Sequence, residues 1–413
     1  MPRGASDIPD LRLSRINKLI QKFMTPPSML FSNLFGTDNA DSDTIKWESQ
    51  IGNRGVTPMK APGSPSQVTA PVGVSQNEAV AAFWGEKEYH DEEFLNNLRE
   101  EGTASTYLSA KRRIAREFRS MRNRCDRRLE LLFAQMLING EITYSDKGGV
   151  KLSIDYAIPS ENQVTLGANY YWTNGTQRNI VGDIMDAKIV VSDSCTGIID
   201  HMVINSNTLK VMAMDSSIQT LLSKSNFGNG DLFGKSAGGI IGVRPRVLGE
   251  LLGIPNIVVY DEKYVIEQTL TAAVAAGGTT VYVGNAADFT TGTAVLHDIS
   301  AGTSESVTVS AVSTEAGTLT IGATTAAFRA GEDKITQTLP FMPNNKTLLM
   351  ASTVEGSKIA EFIQAPYGLN RAYGLFADTK ENWDPDGIWL RVQNKGLPVL
   401  YHRDAIYSLT FAA

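Results

Sequence analysis

Apolar and polar positions along the chain trace one dominant element, an amphipathic helix over residues 104–139. Ile114, Phe118, Met121, Cys125, Leu129, Leu132 and Met136 recur in steps of four and three, one stripe of a 3.6-residue period. At 1.5 Å per residue the predicted rod is about 54 Å long, several times an ordinary helix. Asn139-Gly140 supplies its stop. A rod of that size suits a wide, thin subunit that meets neighbours along its length.

Upstream, Leu13, Ile16, Leu19, Ile20 and Phe23 put a short amphipathic helix at 11–24, stopped by Pro26 and Pro27. So short a segment makes no core of its own and reads as an arm. Alternation around Ile45 and Trp47 predicts a strand from Asp43 to Ile51. Gly55, Pro58, Pro62 and Gly63 then forbid a helix, so the chain reaches out as a loop and returns as a strand over Gln67 to Val74. A two-stranded arm of this kind needs a surface to lie on. The acidic run Asn77 to Arg99 is expected to be helical.

Downstream the pattern mixes strands (Lys188 to Val191, His201 to Ile204, Asn256 to Tyr260) with helices (Asn207 to Ser223, Val243 to Leu252). From Tyr264 to Phe328 there is no lysine or arginine, and Thr, Ala, Gly and Val dominate. Alternation in Thr279 to Val283, Glu305 to Val312 and Thr318 to Ile321 makes 269–335 a small all-β domain inserted into a hairpin of the parent fold. Ordinary composition resumes at Leu339, with strands near Thr347 to Ala351, Gly387 to Gln393 and Ala405 to Phe411.

Length and composition fit a folded α+β protein of two or three domains: 413 residues, 42% hydrophobic, 20% charged. The net charge of −6 disfavours a general nucleic-acid binder. Positive charge is concentrated instead on residues 1–22 and on the long helix. Cys125 and Cys195 suggest neither a zinc site nor a disulfide framework, so a reducing compartment is expected. No basic-then-apolar leader and no run of 18 apolar residues is present, which points to a protein made in a cytosol without a membrane anchor.

Candidate chemistry is sparse. Gly228-Asn229-Gly230-Asp231-Leu232-Phe233-Gly234-Lys235-Ser236 has the Gly-Lys-Ser of a phosphate loop, but Asn229 stands where its first glycine belongs, so a loop is expected. Asp384-Pro385-Asp386-Gly387, with Asp378 and Glu381, lacks the alternating oxygens of a calcium loop and reads as a turn. On a helix, Glu86, Glu88, His90, Asp91, Glu92 and Glu93 would scatter around the cylinder, giving an acidic face rather than a metal site. No catalytic residue, cofactor site or metal ligand set emerges. The arginine face has three readings: pairing with acidic residues of the same or an adjacent subunit, solvation, or contact with phosphates. Nine cations against two anions between Lys111 and Arg128 would repel one another if left alone. Pairing is the favoured reading.

The order of basic arm, extended hairpin, long helix and mixed α/β body resembles tailed-phage major capsid proteins, and locally the lambda-type major capsid protein E family. The resemblance is carried by Arg112-Arg113-Ile114, Leu137-Ile138-Asn139-Gly140-Glu141-Ile142-Thr143-Tyr144, Ile257-Val258-Val259-Tyr260, Pro343-Asn344-Asn345-Lys346-Thr347 and Tyr367-Gly368. It implies the tailed-phage major capsid protein fold, with an N-terminal arm over 1–41 and an extended loop over 42–85. A peripheral domain over 86–200 would hold the spine helix, and the axial domain would begin at 201–268. The insertion at 269–335, which lambda-type members lack, would interrupt it before return strands over 336–413. It further implies self-association into pentamers and hexamers of an icosahedral shell around double-stranded DNA. Scaffolding protein and portal would guide assembly, a decoration protein is a possible addition, and the setting is the virion after assembly in the host cytoplasm. The first residues are too few for a fused scaffold, so a separate one is expected. Candidate subunit contacts are Arg112, Arg113, Arg116 and Arg119 against Glu88 and Glu92, together with Trp47, Arg54 and Lys60 of the extended segment. With its few cations and its Asp288, Asp298, Glu305 and Glu315, the insertion is expected to face outward, away from DNA.

Two other classes stand beside this reading. A tail-tube or surface-layer protein would account for the Thr/Gly-rich insertion but not for the arginine helix. A nucleotide-dependent enzyme would need an intact phosphate loop.

Overall fold

A computed structural model describes residues 28–50, 56–66, 74–91, 106–174, 177–225, 232, 244–369 and 371–412, with backbone only at 50 and 106–114. The long helix runs Thr106–Ala134, about 44 Å of rod. It continues as a π-type turn, Gln135–Asn139, and stops at Gly140, whose φ of 76° only glycine adopts cheaply. Its apolar stripe serves two cores. Phe118, Met121 and Cys125 pack on Ala377, Ile388, Leu390 and Val392. Leu132, Phe133 and Met136 enter the main core.

The sheet under the first half of the stripe is organised by one long strand, Asp386–Leu400. Phe376–Trp383 and Ala82–Asp91 pair antiparallel with it, as does Ala360–Gln364, which in turn carries Gly36–Asn39 in parallel. Here the expectation of an acidic helix from Asn77 is overturned: the chain forms strands Val74–Val80 and Ala82–Asp91, and residues 92–99 lie outside the described ones. Trp84, Glu86, Glu88 and His90 alternate with the more exposed Phe83, Gly85 and Lys87. That is a period of two with carboxylates on the inward face, which an apolar count overlooks. At Gly85 a β-carbon would come within 2.6 Å of the Val392 carbonyl, so only glycine permits this strand approach.

The projecting hairpin pairs Thr44–Gln50 with Val74–Val80 over seven residue pairs. Its returning strand therefore starts where the sequence reading ends it, at Val74; residues 67–73 are outside the described ones. Lys188 to Val191, expected as a strand, lies inside the helix Ile180–Ser194, capped by Asn179. Three consecutive apolar residues cannot distinguish the two periods, whereas buried Ile180, Ile184, Ala187 and Val191 recur in helical steps. Asn207 to Ser223 is two helices, Ser206–Ala213 and Ser216–Lys224, because the Asp215 carboxylate caps the second. These helices and Pro245–Leu252 accompany a mixed sheet ordered Gln163–Thr165, Ile406–Thr410, Lys346–Met350, His201–Ile204, Asn256–Val259.

Strands Lys263–Thr269 and Lys334–Pro340 leave this body as a ribbon of seven pairs and carry the inserted segment. The ribbon joins Thr280–Tyr282, Gly292–Asp298, Thr303–Ser313 and Thr318–Ile321 in a six-stranded sheet. Gly292–Asp298 was not foreseen. An antiparallel bridge from Leu270 to Val283 brings the two outer strands together, closing the sheet into a barrel. Its core is its own, from Ile266 and Leu270 through Phe289, Leu296 and Val309 to Ile335.

Candidate functional surfaces of the long helix and the projecting hairpin

Much of the arginine charge is matched within the chain. Arg124 donates through Nε to both oxygens of Glu86, at 2.7 and 2.8 Å, and through Nη2 to Glu88 at 2.7 Å. Burial pushes the Glu86 carboxyl up and Arg124 pulls it back, while for Arg124 the two carboxylates outweigh burial and raise it. Both groups are thus raised, which favours the charge on Arg124 and disfavours that on Glu86; the bidentate geometry makes the ion pair the state at neutral pH. Arg122 meets Asp126 one turn on at 3.3 Å. Arg128 grips Asp288 of the barrel with both terminal nitrogens, one at 2.7 Å, and lies 5.5 Å over the Tyr144 ring. Asn285 adds a bond to the Tyr144 hydroxyl at 2.6 Å, so the barrel is seated on the helix and the hairpin that follows it. Intrachain pairing is thus observed for Arg122, Arg124 and Arg128.

The remaining candidates are distributed differently. Arg116 and Arg119 are exposed on the helix's outer face; the side chains of Arg112 and Arg113, and Glu92 and Arg54 entirely, lie outside the described residues. Glu88 is bound to its own chain's Arg124. Trp47 is buried, its ring 6.0 Å from Tyr156, so it packs in the chain's own core. Lys60 sits on the exposed loop 56–66, reaching Ser66 Oγ at 3.2 Å. On that loop Val56 is 92% exposed and Met59 fully so, two large apolar side chains held off the body.

Among the described residues Glu88, His90 and Glu117 bring ligand atoms within 4.8 Å of one another. The strand places Glu88 and His90 on one face, where a helix would have parted them. Arg124 already holds Glu88, and His90 Nε2 lies 3.3 Å from Glu117, so the trio ties strand to helix. Asp378 pairs with Arg391, and Asp384-Pro385 turns a hairpin whose Pro385 carbonyl accepts from Tyr89 and Asn382. Apart from the buried Leu232, residues 228–236 are outside the described ones.

One functional residue escaped the sequence reading. Glu130 is fully buried and its carboxylate accepts from Phe31 N and Ser32 N, both at 2.8 Å, from Ser32 Oγ at 2.6 Å and from Tyr260 Oη at 2.7 Å. It fastens the segment around Phe31 and Ser32 to the C-terminal end of the long helix. A lone glutamate in the apolar run Leu129-Glu130-Leu131-Leu132 was the available signal.

The sequence matches the family model described as phage major capsid protein E over residues 13–304. The chain belongs to that family. It is therefore a phage major capsid protein, a structural component of the virion, rather than a tail-tube or surface-layer protein. No curated protein matches the sequence. Among solved structures, the putative capsid protein of a prophage of E. coli CFT073 is 12% identical, with 100% of each chain covered and a TM-score of 0.52. That likeness shows the major capsid fold. A phage-related protein from Bordetella bronchiseptica RB50 is also 12% identical, with 96% of each chain covered and a TM-score of 0.47. No helix among the described residues is long and apolar enough to cross a membrane.

Proposed function

We propose that this major capsid protein assembles into pentamers and hexamers of an icosahedral shell that encloses double-stranded DNA. The observation that carries this reading is the projecting hairpin. Its loop, 56–66, holds Val56 and Met59 in solvent, with no core among the described residues beneath them. Burying two such side chains on a neighbour contributes about 1.5–3 kcal/mol each, a direct drive to self-association. In this arrangement the loop at 56–66 lies across the adjacent subunit, with Lys60 at the contact. Residues 104–139 stiffen the peripheral domain, and the region from 201 gathers around the symmetry axes. The barrel at 269–335 stands on the outer surface, where its scarcity of cations keeps it from DNA. A scaffolding protein and a portal direct assembly in the host cytoplasm, and a decoration protein has the exposed barrel as a landing surface.

Electron micrographs and sedimentation of the expressed chain, alone and with a scaffold from the same phage, test this. Closed particles or rings of five and six subunits are expected. A compact monomer at high concentration, with or without scaffold, refutes it. Met59→Asp is expected to leave the subunit folded and abolish particles.

A further inference from the structure

Helices Ile180–Ser194 and Ser216–Lys224 pack against each other and leave an open groove of about 370 Å³ between them. Val181 and Leu221 line it, with Ser216, Ser217 and Thr220 along the second helix. On the first helix Met185 and Ile189 follow Val181 in steps of four, so the apolar row runs on for about 12 Å within one sector of roughly 80°. Both are more than half exposed, at 55% and 57%. Charge around the row is one-sided. Exposed Asp193 continues it and exposed Asp186 flanks it. The first helix's one cation, Lys188, donates to the Leu252 and Gly253 carbonyls and is turned to its own chain. The second helix adds only Lys224, its last residue.

Residues 11–24 have the complementary pattern. Leu13, Ile16, Ile20 and Phe23 form a stripe about 15 Å long on a helix, and Arg12, Arg15, Lys18 and Lys22 fall along one side of it. No carboxylate occurs in that segment. A helix this short is marginal in water and takes its stability from whatever surface its stripe covers. Its connection to the fastened Phe31 and Ser32 runs through Pro26 and Pro27, whose fixed φ favours an extended chain and suits a segment offered to another copy.

We propose that the groove between these two helices seats residues 11–24 of an adjacent copy, as an amphipathic helix lies in an apolar groove. The stripe covers Val181, Met185 and Ile189, and the cations face Asp186 and Asp193. Each subunit then gives an arm and receives one, a head-to-tail contact of the kind that closes into rings. The inference rests on the reading that the chain self-associates into shells, and it adds a second contact to the one made by the loop at 56–66.

Disulfide trapping tests it, because the native Cys125 and Cys195 are buried. Chains carrying Ile16→Cys or Ile20→Cys are mixed with chains carrying Met185→Cys, allowed to assemble and oxidised. A disulfide forms only where the two Cα atoms come within about 7 Å. Covalent dimers absent from either chain oxidised alone are expected. Adding Asp186→Lys and Asp193→Lys to the groove chain is expected to slow their formation about fivefold, the scale of two exposed ion pairs lost. Shells that form without such dimers overturn the proposal, and the groove then belongs to another partner. A trapping rate unmoved by the charge reversal also overturns it. So does a chain carrying both Ile20→Cys and Met185→Cys that closes only on itself, which would show each groove holding its own arm. If the wild type forms no shell, it is the shell reading that fails. Oxidation of the mixed free chains at high concentration still judges the groove: trapped dimers support the contact, and their absence overturns it.

Discussion

Glu130→Gln is the substitution that most directly tests how the N-terminal segment is fastened. The amide preserves shape but replaces one carboxylate oxygen with an NH2 group. Whichever oxygen is replaced, the amide cannot accept from both Phe31 N and Ser32 N, which now reach separate oxygens at 2.8 Å. Placed toward Ser32, the NH2 confronts a backbone N–H, while the Ser32 hydroxyl can rotate to accept. One hydrogen bond to a carboxylate is worth about 1.5–3 kcal/mol, and a buried donor left without a partner costs about 1–3 kcal/mol. Against this stands relief of the desolvation of a fully buried carboxylate, so the net loss is about 3 kcal/mol. The loss is local, because the donors belong to residues 31, 32 and 260 only. Native-state hydrogen exchange is the fitting assay: 3 kcal/mol raises opening at the Phe31 and Ser32 amides about 150-fold, with amides of the barrel unchanged. A double-mutant cycle with Ser32→Ala is expected to show a coupling of about 1 kcal/mol. Protection at Phe31 and Ser32 within threefold of wild type, with zero coupling, would refute the reasoning.

Breaking the barrel's seat by Arg128→Ala or Asp288→Ala is expected to cost about 1–3 kcal/mol of docking. The barrel keeps its own core, so the change appears as faster proteolysis at the ribbon, and identical digestion of both variants and wild type counts against the ion pair. Because Thr269 and Lys334 are direct partners, replacing 270–333 by Asn-Gly should leave a folded body that forms shells thinner on the outside; an unfolded product contradicts the separate-core account. Burial pushes the Cys125 thiol up to about 12, so maleimide near neutral pH is expected to label it only after denaturation; native labelling at a comparable rate opposes this. Burial raises Asp200, yet donation from Ser352 and His201 outweighs it and holds the carboxyl below the ordinary range. Its stabilisation is therefore present above the ordinary aspartate value of about 4 and lost as pH falls through the depressed folded value. The stability gap between wild type and Asp200→Asn should be constant near neutrality and shrink in acid, and a gap that does not change down to about pH 2 rules this out.

Local sequence alone determined the long helix, its stop at Gly140, the projecting loop and the compositional break that marks the barrel. Each of these is set within a few residues by backbone hydrogen-bond geometry, by glycine and proline, or by the absence of cations. Tertiary structure decided what the polar groups do. Glu86 and Glu88 belong to a strand because Asp386–Leu400 and the long helix flank them; their charges face inward only because Arg124, some 36 to 38 residues away, meets them. Glu130 finds its donors about 100 residues away, and Arg128 finds Asp288 at a separation of 160. Such pairings leave no periodic trace, since a charge selects its partner by position in space. Arg124 and Arg128 accordingly met their carboxylates only once the sheet and the barrel had occupied two sides of the helix.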